Sequence, residues 1–360
     1  MNKNTVQKEA LDEINKHQRC GVAISMGVGK TRLAIKHLQQ FDAKTIALVV
    51  IPKLSVKESW LSELKKLNLQ IELEFVTYLS LNKKEPDDYD VVYLDECHNL
   101  LYKHHDFLIN FNGKILGLTG TPPKNAVSEK YNMVYKYCPI IYTYTVDDAT
   151  EDKILNDYRI YIHTLSLSNK RDFLKKKRDG GTWYTSEVKD YEYLCGRVAE
   201  ASTGKQRQHS AIMRMRGLMD YTTKEKYTKK LLRNINSKCL VFCNTVAQAD
   251  RICSNSYHSK NKNSKDNLEL FSNGSINKLS CVLQLSEGIS IPGLKQGIIL
   301  HSYGNERKSA QRIGRLLRLN PNDTATCHIL CYKNTVDETW VNKALEGFDQ
   351  NKIEFFNPLK

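Results

Sequence analysis

Apolar residues fall along this chain in short unbroken runs, with helix-like stretches between them. Gly21–Ile24, Ile46–Ile51, Phe75–Tyr78, Val91–Leu94, Ile115–Leu118 and Ile140–Tyr142 are the runs of the first part. The later part repeats the theme with Cys239–Phe242, Ser280–Leu283, Gly297–Leu300 and Cys327–Leu330. Runs without alternation predict strands buried on both faces of a parallel sheet, and strands alternating with helices predict the α/β class. At roughly 100–200 residues per domain, 360 residues suit two such sheets in tandem.

Composition narrows the class. With 41% hydrophobic and 26% charged residues, disorder, collagen and coiled coil are excluded. The longest purely apolar run, Ile46 to Ile51, is far short of the ~18 residues of a membrane span, so no membrane association is expected. The first residues, Met1 to Lys8, carry no apolar leader, which predicts a cytoplasmic protein. Lys- and Asn-rich usage hints at an AT-rich genome, such as that of a virus acting in a host cytoplasm. The ten cysteines include no Cys-x-x-Cys pair, so buried thiols are expected and a structural metal is not.

Charge adds a partner. Lys and Arg outnumber Asp and Glu by 54 to 40, and the resulting +14 favours polyanions, nucleic acid above all, over a surface that is merely basic for solubility. Residues 169–230 hold +8 of that total, together with Phe173, Trp183, Tyr184, Tyr191, Tyr193, Tyr221 and Tyr227. Two readings stand side by side for this stretch. Basic residues among aromatics can track a backbone and stack bases. A helical connector whose aromatics pack on the neighbouring sheet has the same composition.

The chemistry starts at Ser25-Met26-Gly27-Val28-Gly29-Lys30-Thr31, after a strand-like run and before the helix-like Leu33–Leu38. That context puts backbone N–H groups of Met26, Gly27, Val28 and Gly29 and a helix N-terminus around a phosphate. Lys30 is suited to the β- and γ-phosphates and Thr31 to Mg²⁺. Ile24 stands where the general pattern has glycine, so a chance Gly-x-Gly-Lys-Thr turn competes with this reading. A second feature favours the phosphate. The run Val91–Leu94 delivers Asp95 and Glu96 at its C-terminal end, where open α/β sheets bind ligands. Asp95 suits the Mg²⁺, and Glu96 suits orienting or deprotonating a water.

From here the chain resembles the superfamily 2 helicases and translocases. Asp95-Glu96-Cys97-His98 is similar to their Asp-Glu-x-His box, and Gln7, 23 residues before Lys30, to the glutamine that reads adenine. Pro52-Lys53, followed by Trp60, resembles the segment that meets the nucleic-acid backbone. Thr119-Gly120-Thr121-Pro122 resembles the box that couples hydrolysis to domain movement. Asn244-Thr245 closes a segment like the opening box of the second domain, and Gly288-Ile289-Ser290 resembles the next, with a hydroxyl where a ribose-side carboxylate is usual. Gln311, Arg315 and Arg318, four and three apart on one helix face, resemble the final box and its arginine finger.

The resemblance implies two tandem RecA-like domains with an ATP cleft between them, residues 1–145 and 146–360, the second including a basic helical insertion or connector at about 169–230. It implies Lys30, Asp95, Glu96, Gln311, Arg315 and Arg318 as catalytic. Gln7, residues 26–31 and Gly288 would hold ATP, and Thr31 with Asp95 the Mg²⁺. Nucleic acid would meet Pro52, Lys53, Thr119, Gly120, Thr121, Asn244 and Thr245. The subgroups most alike, the XPB and phage branch-migration helicases and the Swi/Snf-type ATPases, act on DNA. The expected activity is therefore that of a monomeric ATP-dependent DNA helicase or translocase. An RNA helicase of the same fold, and a clamp using ATP binding as a switch, are the alternatives.

Overall fold

The computed structural model describes residues 1–25, 27–176, 180–282, 291–302, 323–346 and 348–357. They form two compact units, and the first runs from Met1 to Asp157. Its six strands are β1 (Arg19–Ile24), β2 (Ala47–Ile51), β3 (Glu74–Thr77), β4 (Val91–Asp95), β5 (Lys114–Thr119) and β6 (Ile140–Tyr144). They lie in the order β3-β2-β4-β5-β1-β6, every pair parallel. The unbroken apolar runs are explained by two cores. Val49, Ile51, Val91, Tyr93, Leu116 and Leu118 enter one, while their neighbours Leu48, Val50, Val92, Leu94 and Ile115 enter the other.

The first core is covered by α1 (Lys3–Asn15), α2 (Lys30–Leu38) and α3 (Lys57–Lys66), the second by α4 (His105–Asn110) and α5 (Glu129–Tyr137). A sixth helix, α6 (Val146–Glu151), is capped by Thr145, whose hydroxyl accepts from Asp148 N. It and the following turn bring Ala149, Ile154 and Leu155 into the first core. This burial carries the first unit past residue 145.

The second unit is built on a seven-stranded sheet. Its strands are β7 (Asp157–Leu165), β10 (Cys239–Cys243), β11 (Ser256–Tyr257), β12 (Lys278–Val282), β13 (Gln296–Ile299), β14 (Thr324–Tyr332) and β15 (Ile353–Phe356), in the order β11-β12-β10-β13-β14-β7-β15. A separate antiparallel ribbon pairs β8 (Phe173–Lys176) with β9 (Thr182–Thr185). Three helices follow it: α7 (Glu187–Ala199), α8 (Gly204–Asp220) and α9 (Thr223–Asn234). Ser186 and Thr203 cap the first two, accepting from Lys189 N and Gln206 N. The remaining helices are α10 (Val246–Ile252), α11 (Ser264–Asn273) and α12 (Val336–Leu345). Among the described residues no helix is long and apolar enough to cross a membrane.

One histidine pair is expected to weaken this unit at low pH. His163 Nε2 on β7 is 2.9 Å from His328 Nδ1 on β14, and His163 Nδ1 is 2.8 Å from Tyr227 Oη on α9. Burial pushes both imidazoles down to about 4. A pKa lower in the folded than in the unfolded chain means that the unfolded chain takes up protons first. The stability from neutral burial is thus complete above pH 6.5 and lost as pH falls towards 4. Each imidazole is expected to lower the unfolding free energy by about 2–3 kcal/mol across that window. Urea melts at pH 7 and 4.5 check this, and His163→Gln should remove about half of the difference.

Candidate nucleotide site

Strands β4, β5 and β1 are neighbours, so their C-terminal ends bring three loops together. Asp95 is registered with Leu118, and Thr119 with Ala23. Beyond β1, Gly27 and Gly29 turn with φ of 93° and 106°, values that favour glycine, and α2 begins at Lys30. A side chain at Gly29 would also meet Gln7, its Cβ lying 2.7 Å from Nε2. The loop therefore sits against α1. Gln7 is buried there, donating from Nε2 to Val28 O at 3.1 Å and accepting from Lys36 Nζ at 2.8 Å. Its amide fixes the loop's shape. Thr31 is half-buried in the first turn of α2, and Val28 is buried.

Lys30 Nζ lies 3.3 Å from Ile24 O and 3.9 Å from Glu96 Oε1. Asp95 is buried, and its Oδ2 accepts from Trp60 Nε1 at 2.9 Å, while Tyr78 Oη donates to its main-chain oxygen at 3.0 Å. Burial and the adjacent Glu96 push the Asp95 carboxyl up to about 6, against the indole N–H and Lys30, which pull it down. Glu96 has φ 54°, a left-handed conformation that costs a residue with a Cβ on the order of 1–2 kcal/mol. Such strain is characteristic of functional positions. It lifts the carboxylate off the strand path and holds it opposite Lys30.

His98 Nδ1 is 2.9 Å from Thr119 Oγ1 and 3.4 Å from Glu96 Oε2. The shorter contact takes the nitrogen, and among the described residues Glu96 Oε2 is buried without a hydrogen-bond partner. Ser25 Oγ and Thr121 Oγ1 are buried in the same condition. Thr119 is fully buried, its hydroxyl shared between His98 and Thr121 N, the latter at 3.1 Å. It links the carboxylate loop to the loop after β5. Turned glycines, a lysine, two carboxylates and unsatisfied hydroxyls together match the donors and acceptors that a nucleoside triphosphate and a divalent cation require.

Family models match both parts of the chain. The type III restriction enzyme res subunit matches residues 1–73, and the helicase conserved C-terminal domain matches residues 223–320. The DNA 3'-5' translocase XPB2 of Sulfurisphaera tokodaii is 22% identical over 371 residues, which cover 92% of this chain and 82% of that protein. The chain is a superfamily 2 helicase/translocase. It is an ATP-hydrolysing enzyme. Solved structures agree on the fold: the Pyrococcus furiosus Hef helicase domain (TM-score 0.53, 15% identity, 94% of this chain and 97% of that one) and a putative HsdR subunit fragment of a type I restriction enzyme from Vibrio vulnificus (TM-score 0.62, 16% identity, 98% and 67%). The expected pair of parallel-sheet, RecA-like domains is the architecture found.

In this helicase/translocase the other expected positions separate. Pro52 is half-buried and Lys53 exposed after β2, whereas Trp60, part of the same sequence segment, is fully buried behind Asp95. Gly120 and Thr121 are half-buried. In the second unit Thr245 caps α10 through Gln248 N, and both polar side-chain atoms of Asn244 are buried without hydrogen-bond partners among the described residues. Met26, Gly288, Gln311, Arg315 and Arg318 lie outside the described residues. Sequence reading missed Tyr78, Gln248 and His301. Gln248 joins two strand ends, with Oε1 accepting from Asn244 N at 3.3 Å and Nε2 3.3 Å from His301 Nε2. Only its position three residues into a capped helix could have signalled it.

Proposed function

We propose that the protein couples ATP hydrolysis at this site to movement along, or unwinding of, DNA. The observation that carries the reading is the pairing across two strand ends of Lys30 and Glu96 at 3.9 Å, with no hydrogen-bond partner for the second Glu96 oxygen among the described residues. In this reading Lys30 holds the β- and γ-phosphates, Thr31 and Asp95 hold Mg²⁺, and Glu96 orients and deprotonates the attacking water. The ion, when bound, offsets phosphate charge. Gln311, Arg315 and Arg318 are assigned to the γ-phosphate on their sequence spacing. The DNA preference is supported by the relative that is a DNA translocase, and a nucleic-acid partner of either kind by the net charge of +14.

The test is steady-state ATP hydrolysis without nucleic acid and with single-stranded, duplex and forked DNA and RNA. Lys30→Ala serves as the control. Strong stimulation by DNA that the variant loses is the expected result, and the DNA form that stimulates best separates unwinding from duplex tracking. RNA as the sole activator would reassign the protein to RNA. Tight ATP binding with no hydrolysis under any condition would replace the motor with a switch.

A further inference from the structure

The β8–β9 ribbon is not part of the seven-stranded sheet, and its two faces are unlike. Side chains alternate along a strand, so Phe173 and Lys175 share one face and Leu174 and Lys176 the other. The inner face is fixed. Phe173 meets Tyr221 edge-on at 5.1 Å between centroids, and Lys175 Nζ lies 2.9 Å from Asp190 Oδ1 on α7. The outer face carries Leu174 opposite Tyr184, and these are 46% and 58% exposed. Trp183, paired with Lys175, is on the inner face and is 42% exposed. The outer face thus presents an aromatic ring and an aliphatic side chain to solvent, while Phe173 and Lys175 hold the ribbon from the other side.

Charge says what covers them. Lys170 and Arg171 before β8 and Lys176 at its end are exposed. Among the described residues, three nearby carboxylates are already engaged: Asp172 with Lys226, Asp190 with Lys175 and Tyr221, and Glu187 with the main-chain N–H groups of Ser168, Thr222 and Thr223. The ligand that fits is a polyanion that also offers flat apolar faces. Duplex bases have theirs covered by one another, and a folded protein partner would require a wider apolar patch than one pair of side chains. We propose that the outer face of this ribbon is a stacking platform for single-stranded nucleic acid. Tyr184 and Leu174 receive the bases, and Lys170, Arg171 and Lys176 attract the phosphates. This rests on the nucleic-acid reading above, and assigns one strand of its substrate to a named surface.

The experiment uses the full chain and an oligodeoxynucleotide containing 2-aminopurine, either single-stranded or in a blunt duplex of the same sequence. Tyr184→Ala should bind the single strand roughly tenfold more weakly and the duplex within about twofold of the original chain, since stacking on an aromatic ring contributes only where a base face is free. Tyr184→Phe should restore single-strand binding. The 2-aminopurine emission should change on binding to the original chain and to Tyr184→Phe far more than to Tyr184→Ala. Equal losses for both nucleic acids, or no loss for the single strand, would overturn the platform while leaving the motor reading intact. If the original chain binds neither form, both readings fall together.

Discussion

Glu96→Gln is expected to keep ATP binding and to lower hydrolysis by about 10²–10⁴-fold, the usual contribution of a positioned general base. Glutamine has the same length and branching, so it can adopt the φ of 54° that this position imposes and remain near Lys30 Nζ, 3.9 Å from the native carboxylate oxygen. What it lacks is the capacity to take a proton. The native Oε2 is buried and unpartnered because His98 gives its Nδ1 to Thr119 at 2.9 Å, which leaves one oxygen for water. Equilibrium binding of a fluorescent ATP analogue, beside single-turnover hydrolysis, separates the two properties. A variant that turns over at more than about a tenth of the native rate would remove Glu96 from the role of base. Asp95→Asn should behave differently, losing Mg²⁺-dependent binding as well, because Asp95 is assigned to the metal and not to the water.

The contrast between what the sequence carries and what only folding reveals is clearest at single residues. Val49 and Val50 both had to be buried, since no alternation separates them, and they enter opposite cores. The turn at Gly27 and Gly29 was equally open to reading, because glycines before a lysine serve backbone geometry locally. The ribbon was not. Lys175-Lys176-Lys177-Arg178 has the composition of a solvated loop. Strand β8 forms because Phe173 and Lys175 are captured by Tyr221 and Asp190, 48 and 15 residues away. The aromatics of 169–230 divide for the same reason. Phe173, Tyr191, Tyr221 and Tyr227 pack into or against a core, while Trp183, Tyr184 and Tyr193 stay exposed. The connector reading describes the first group, and the three exposed rings are those left free to stack. Trp60 shows the limit at the site itself. Its sequence neighbourhood points to nucleic acid, but a helix on one strand's flank has put its N–H on the carboxylate of another strand.

Lys224 is the other residue whose environment no local pattern reports, and the second large effect is expected there. It stands in a basic helix, α9, yet is fully buried, with Nζ 2.5 Å from Asp337 Oδ2, 2.8 Å from Leu300 O, 3.4 Å from His301 Nδ1 and 4.8 Å from the centre of the Tyr332 ring. Asp337, 1% exposed, also accepts from Tyr332 N at 2.9 Å. Lys224→Met keeps the stem and removes the charge, so the Asp337 carboxylate is left buried without a cation. Breaking such a pair costs about 3–5 kcal/mol, whereas replacing both members with apolar side chains is often near neutral. Urea denaturation followed at the second unit should therefore show a large loss in Lys224→Met and recovery in Lys224→Met/Asp337→Leu. A loss that persists in the double variant would mean that α9 depends on the shape of the lysine side chain and not on its charge.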